Sequence, residues 1–437
     1  MKNKTVRILV WIWIMTGSIA AQEHELTLNL SQLLDRSLQN NFLLQANQKN
    51  TLVKQAELEI LQTNYLPTVS AGASFSYWKF LLPNKQKLLG DGLTDMYSEV
   101  YVHQSVYDWG ETRVRKSVVD DEIRLNEVVY RQIRNTIIWG VTDAYFARLK
   151  AESEIAVHQN SLEQLQSHLQ YADNLYQIGK VSGVDVLKIK VQISLEQKAL
   201  QKAESAALAA LIKIGRLCYL DENTPFTIVN SSEPLFSEAR GQQFSHDALY
   251  FKVLENHPSL LLAEQRMSLE EKQKDLYRLQ NRPELFLYGL GSWNHNYIPF
   301  GDHFNYNIGL SIRYTLPYLG GSGFKSRMLQ SDYRMEQLDE EKNQAFLDVK
   351  TEIDLALNSI EDLKAEIDNN ETIIDLAHET LNNALVKYQS GQGNIIDVLD
   401  AQAIITETSI AYKKSTIEYL QLLARLHYLT GNDAYPF

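Results

Sequence analysis

The chain has 437 residues, with 54 acidic against 42 basic side chains and a formal net charge of −12. That length accommodates about two or three ordinary domains, and the acidic balance argues against a nucleic-acid partner, which demands a basic face to displace counterions. The single cysteine, Cys218, excludes an internal disulfide and a cysteine-based metal cluster.

At the N-terminus, Lys2, Lys4 and Arg7 precede the apolar run Ile8–Ile14, and the small residues Ser18, Ala20 and Ala21 follow. This order predicts a secretory signal peptide over 1–21, too short to serve comfortably as a membrane anchor. No later stretch offers ~18 consecutive apolar residues. Entry into a membrane therefore has to use strands.

The rest is written twice, as 22–230 and 231–437. Tyr176-Gln-Ile-Gly-Lys-Val-Ser-Gly-Val-Asp-Val-Leu187 matches Tyr388-Gln-Ser-Gly-Gln-Gly-Asn-Ile-Ile-Asp-Val-Leu399 at a constant offset of 212. The upstream stripe Leu162, Leu165, Leu169, Ala172 repeats as Ile374, Ala377, Leu381, Ala384 at the same offset. Leu38, Asn40, Leu44 and Pro67 match Leu254, Asn256, Leu260 and Pro283 at an offset of 216. An ordered double match of this kind marks a structural repeat.

In the first half, an opening helix leads to a β-hairpin over 67–107. Val69, Ala71, Ala73, Phe75 and Tyr77 face one way along Pro67–Phe80, with Ser70, Gly72, Ser74 and Ser76 opposite, and Tyr97–Tyr107 is the partner strand. No proline lies between Pro83 and Pro225, which permits a long helix over 111–178 and a return helix over 184–217. At ~1.5 Å per residue the long helix would reach ~100 Å. Asp221–Ser245 reads as a short irregular stretch. The second half repeats the order: a helix over 246–281, a hairpin over 284–316, a long helix over 325–389 and a return helix over 395–429. Its strand Phe304–Tyr314 again alternates apolar with polar residues. Stripes stepping by 3 and 4, with small residues in them, predict coiled-coil packing of the long helices.

Each strand has about the ten-residue length of a membrane-spanning strand, and Tyr77, Trp78, Phe80, Trp293, Tyr297 and Phe300 gather near strand ends as an interfacial belt would. A soluble hairpin packed on a core shows the same alternation. In lipid, four strands cannot close a barrel, and open edges leave backbone groups unpaired. Several copies must then share one barrel.

These residues, and above all the doubled turn, resemble the TolC-type outer-membrane efflux proteins over nearly the whole mature chain. The resemblance implies a mostly α fold with a pair of β-hairpins. It also implies a homotrimer whose 12-strand β-barrel in outer-membrane lipid joins a 12-helix α-barrel in the periplasm. A mixed belt near the tunnel's middle falls at Asp221–Ser245. The implied function is the exit duct of a tripartite efflux or secretion system, fed by an inner-membrane pump through a periplasmic adaptor (membrane fusion) protein.

Site residues follow from both routes. Asp397 and Asp400, three apart on one helix, share a face and would line a narrow entrance with carboxylates; by resemblance they match the aspartates of the periplasmic entrance. Helix capping competes as an explanation of Asp397 and of Asp185, since Asn394-x-x-Asp397 and Ser182-x-x-Asp185 look like capping boxes. It does not explain Asp400, whose repeat partner is Lys188. By resemblance Tyr388 and Asp185 help hold the entrance shut, and packing at the end of its stripe is the plainer role of Tyr388. Where the family often carries arginine this chain has Gly393, which implies a looser gate or one held by other residues. The turns Gly179, Lys180, Val181 and Gly391, Gln392, Gly393 terminate helices and would present the tips to the adaptor. No hydrolytic or phosphate-binding motif appears, and His158 and His168 lie too far apart for ligand spacing. Nothing asks for a metal, a cofactor or catalysis. The other readings are a secreted coiled-coil envelope scaffold or adhesin, and a periplasmic adaptor, which would show one helical hairpin rather than two.

Overall fold

The computed structural model describes residues 26–79, 83–89, 92–220, 226–229, 232–280, 282–297, 301–314, 323–432, 434–435 and 437. The expected signal peptide, Phe80 and Phe300 lie outside them. The first half contains β1 (Leu26–Leu28), α1 (Leu30–Asn40), α2 (Phe42–Gln62), β2 (Thr68–Lys79), α3 (Pro83–Leu89), β3 (Gly92–Tyr107), α4 (Glu111–Gln177) and α5 (Gly183–Leu217). There follow β4 (Phe226–Ile228), α6 (Ser232–Ala239), α7 (His246–Asn256), α8 (Pro258–Leu279), β5 (Glu284–Tyr297), β6 (Gly301–Arg313), α9 (Phe324–Gln389) and α10 (Ile395–Leu429).

The opening helix of each half is broken at one repeat position. Asn41 leaves helical geometry at φ −71° and ψ 119°, and its side chain accepts from the Leu43 and Leu44 amides to start α2. His257 takes φ −67° and ψ 122° before Pro258, which restricts its predecessor to extended backbone and opens α8 at its first position. The single helix expected over 246–281 is therefore two helices, because an apolar stripe continues across a proline that the backbone cannot.

The sheet has the order β2-β3-β5-β6, all antiparallel, with β2 and β6 as open edges among the described residues. Its register sorts the residues by face. Pairs such as Val69↔Val102, Val100↔Gly291 and Gly291↔Tyr306 run through one face, which also carries Phe75, Met96, Trp293, Ile308, Leu310 and Ile312. Ser70↔Tyr101, Tyr101↔Leu290 and Leu290↔Asn307 run through the other, with Ser74, Asp95, Glu99, Ser292 and Asn305. On that polar face the Tyr97 hydroxyl donates to Glu99 at 2.8 Å. Gly309 gives the Tyr288 ring its space, since a Cβ there would stand 2.8 Å from the Tyr288 hydroxyl. Two details differ from expectation. The partner strand of the first hairpin begins at Gly92 rather than Tyr97, and Trp78 falls on the polar face, its indole donating to Ser76 at 2.9 Å.

Below the sheet, α4 packs along α5 and α9 along α10, and the two pairs meet through α4 and α10. Nearer the sheet, α2 lies on α4, and α8 lies between α4 and α9. Where these layers converge, Tyr145, Phe146, Leu149, Ile353, Tyr419 and Leu420 form a buried hydrophobic core. The two buried tyrosine hydroxyls donate to the Val229 and Ala239 carbonyls, each at 2.9 Å. The stretch 221–245, expected to be irregular, carries two elements among its described residues. β4 pairs in parallel with β1, and α6 docks Phe236 on Tyr419, with ring centroids 5.6 Å apart. The partner that orders β4 lies 200 residues earlier, beyond the reach of any local pattern.

Candidate functional site: the helical tips

Far from the sheet, α4 returns into α5 and α9 into α10 through turns that share their hydrogen bonds. Gly179 (φ +74°) and Gly391 (φ +76°) are left-handed, the conformation glycine takes at a helix C-terminus. The Lys180 amide donates to the Leu175 carbonyl and the Gln392 amide to the Lys387 carbonyl, both at 2.9 Å. Each bond sits 212 residues from its counterpart. A small core of Ala172, Leu175, Ile189, Leu381, Ile395 and Val398 draws all four helices together here.

The tips part company one residue later. Val181 occupies the position of Gly393, whose amide also donates to the Lys387 carbonyl at 2.9 Å. A Cβ at Gly393 would stand 2.8 Å from the Tyr388 nitrogen and 2.9 Å from the Lys387 carbonyl carbon. The second turn is thus folded onto backbone, and no larger residue fits it unchanged.

The carboxylates separate in role. Ser182 caps α5, its side chain accepting from Val184, and Asp185 closes the box by accepting from the Ser182 amide at 3.4 Å. Capping therefore accounts for Asp185. Asn394 caps α10 through the Ile396 amide at 3.1 Å, and no reciprocal bond engages Asp397. Asp397 and Asp400 are both exposed on the same side of α10. Lys180, Gly179, Gly391 and Gln392 are exposed at the apices, with Val181 and Gly393 half-buried.

Tyr388 ends the buried stripe of α9 and is 5% exposed, yet its hydroxyl has no hydrogen-bond partner within the chain. Burial pushes this phenol above its ordinary value, and the Asp185 charge and Tyr171 push it further the same way. Tyr171 was not anticipated: its ring centroid lies 6.4 Å from that of Tyr388. It stands one residue off the Leu169–Ala172 stripe, so periodicity assigns it to solvent. Among the described residues no group of three or more His, Cys, Asp or Glu is placed to hold a metal ion, and no helix is long and apolar enough to cross a membrane.

Comparison with known proteins bears on the whole chain. Residues 33–218 and 249–432 match the family described as Outer membrane efflux protein. The chain is 20% identical over 410 residues to the pyoverdine export outer membrane protein OpmQ of Pseudomonas aeruginosa, covering 92% of this chain and 85% of that one. It is 22% identical over 323 residues to the cobalt-zinc-cadmium resistance protein CzcC of Cupriavidus metallidurans, covering 69% of each. The crystal structure of CusC superposes with a TM-score of 0.76 at 14% identity, covering 92% of both chains.

Proposed function

The chain belongs to the outer membrane efflux protein family, and on that premise we propose that it works as a homotrimer with its helical tips as the periplasmic gate. It is an outer-membrane channel that reaches through the periplasm and forms the exit duct of a tripartite efflux system. The observation that carries the trimer is the sheet. Its one apolar face suits lipid and its polar face a water-filled lumen, but four strands with two open edges cannot satisfy their backbone in a bilayer. Three copies supply twelve strands, and the same symmetry gathers twelve long and return helices into a tunnel.

At the tips, Asp397 and Asp400 of three copies form a carboxylate-lined entrance that favours cations and repels anions. Tyr388, with a buried donor unused within its own chain, holds the closed state by donating to a carboxylate across the assembled entrance. Gly393 in place of an arginine leaves this tyrosine contact the larger share of that task. The turns Gly179–Val181 and Gly391–Gly393 face the periplasmic adaptor, which couples the duct to an inner-membrane pump.

The test is single-channel recording of the detergent-extracted protein in planar bilayers, beside Asp397→Ala/Asp400→Ala. Small, cation-selective steps that lose selectivity in the variant are expected. Identical conduction in the variant would return both aspartates to an ordinary surface role.

A further inference from the structure

At its helical end the sheet's polar face carries an aromatic island. His103 on β3 and Phe286 on β5 stand with ring centroids 4.8 Å apart. Tyr101 stacks on His103, and Tyr288 tilts against Phe286, each at 6.3 Å. The Arg313 guanidinium on β6 lies 4.9 Å from the Phe286 ring centre. The pairs His103↔Tyr288, Ser105↔Phe286 and Glu284↔Arg313 put all of them on the polar face. The repeat does not demand this island. At the offset of 216, Phe286 and Tyr288 correspond to Ser70 and Gly72. Aromatic residues thus occupy the two central strands at this level, whereas the edge strands carry Ser70 and Gly72 on β2 and Gly309 and Ser311 on β6. Closure of the barrel sets β6 beside β2 of the next copy, so an open bay of small residues separates one island from the next. A barrel of twelve strands is too wide for side chains to fill, and the island faces water.

Beside the island the donors are open and the acids are engaged. A cleft of about 330 Å³ runs from the polar face to the helix ends, and its walls include His103, Asp108, Glu111, Arg115, Arg282 and Arg313. Asp108 accepts from the Gly110 and Thr112 amides at 3.0 and 2.8 Å, and Glu111 holds Arg115 at 2.6 Å. The Arg282 guanidinium has no partner among the described residues. Arg313, with its side chain 64% exposed, reaches Glu284 only at 3.9 Å, beyond hydrogen-bond distance. The Tyr101 and Tyr288 hydroxyls and the His103 imidazole are likewise unbonded among the described residues.

We propose that each copy binds a flat aromatic acid here, its ring against Tyr101, His103 and Tyr288 and its acid group on Arg313 and Arg282. This rests on the reading of the polar face as the lumen of the duct. Phe286, only 6% exposed, is the base of the site. It fixes His103 from one side and Arg313 from the other. A guanidinium stacked on a ring is held in its plane and keeps its edge N–H groups for a carboxylate or sulfonate. Half-buried rings at the rim of a bay of small residues leave room for an offset or edge-on partner. The wall of the duct is then not uniform: it retains one class of cargo, planar and anionic, at the point where helices hand over to strands.

Calorimetric titration of the detergent-extracted protein with 2-naphthoate tests the site, beside 2-naphthamide, which lacks the charge, and cyclohexanecarboxylate, which lacks the aromatic ring. Saturable binding of one 2-naphthoate per copy is expected, above the heat of a detergent blank. Arg313→Gln should weaken it by about tenfold or more, as for loss of a hydrogen bond to a charged group. Tyr288→Leu should weaken it by roughly two- to tenfold, as for loss of a ring contact. Both variants are titrated only as species of trimeric native mass. A trimer that conducts in planar bilayers but shows no saturable 2-naphthoate binding overturns the site and leaves the duct standing. Binding that Arg313→Gln leaves unchanged, or that cyclohexanecarboxylate matches, also overturns it. A chain that neither forms trimers nor conducts overturns both readings.

Discussion

Replacing Tyr388 with phenylalanine isolates one hydroxyl. The ring stays, so the packing against Tyr171 and the tip core is preserved, and only the buried donor disappears. If that donor meets a carboxylate when the entrance closes, its loss costs about 1.5–3 kcal/mol per copy, as for hydrogen bonds to charged groups. Since about 1.4 kcal/mol is a tenfold change in an equilibrium, each copy shifts the gate toward open by about 10- to 100-fold. The assay is open probability in planar bilayers, backed by sensitivity of cells to a bulky antibiotic that the outer membrane otherwise excludes. Tyr388→Phe is expected to open more and to sensitise. The opposite outcome is equally specific. A hydroxyl that stays unpaired in the closed assembly costs about 1–3 kcal/mol to bury, so its removal would tighten the gate. A variant that gates like the wild type or more tightly would refute the latch.

Four further outcomes are expected. Asp121→Ala removes a fully buried carboxylate from Lys272, Arg124 and Ser268 and is expected to loosen the α4–α8 junction by about 3 kcal/mol, read as faster amide exchange in both helices. His257 is held below its ordinary value by burial, against a smaller opposing effect of Glu352. Its contribution is present above the unfolded imidazole value and is lost as pH falls through the lower folded one. Acid unfolding should therefore begin below about pH 6.5, and His257→Asn, which copies the Asn41 cap, should lessen it. Burial pushes the Cys218 thiol up to about 12, so maleimide at pH 8 should label it only after denaturation. Gly393→Arg should fail to install a working gate arginine. Its Cβ meets the Tyr388 and Lys387 backbone, so the variant should conduct more, not less.

What the sequence disclosed follows the range of the forces involved. Proline-free stretches and stripes at steps of 3 and 4 revealed the long helices, and alternation over Val69–Tyr77 and Phe304–Ile312 revealed the strands, because both are local constraints. The tip turns were legible because Gly179 and Gly391 answer a local backbone demand. The break at His257 was obscured by a stripe, Leu249, Val253, Leu260, that runs through it. Trp78 was assigned to a belt by composition, while its face is set by register with β3. Tyr171 and the crowding at Gly393 depend on neighbours brought by the fold. The same holds for the split between Asp185, which is consumed by its cap, and Asp397, which is not.

The pairing of β1 with β4 sets an order on biogenesis. Leu26–Leu28 are synthesised early, and their partners Phe226–Ile228 follow 200 residues later. Farther along, the Tyr435 hydroxyl donates to Asp35 across 400 residues, and Phe437 stacks edge-on against Phe146. Contacts of such sequence separation are slow to close, and a chain waiting for them exposes apolar surface. The apolar sheet face would stand bare for the whole of that wait. Removal of Tyr435 and the residues after it is therefore expected to show first as misassembly, read as loss of folded protein from outer membranes, rather than as lost conduction.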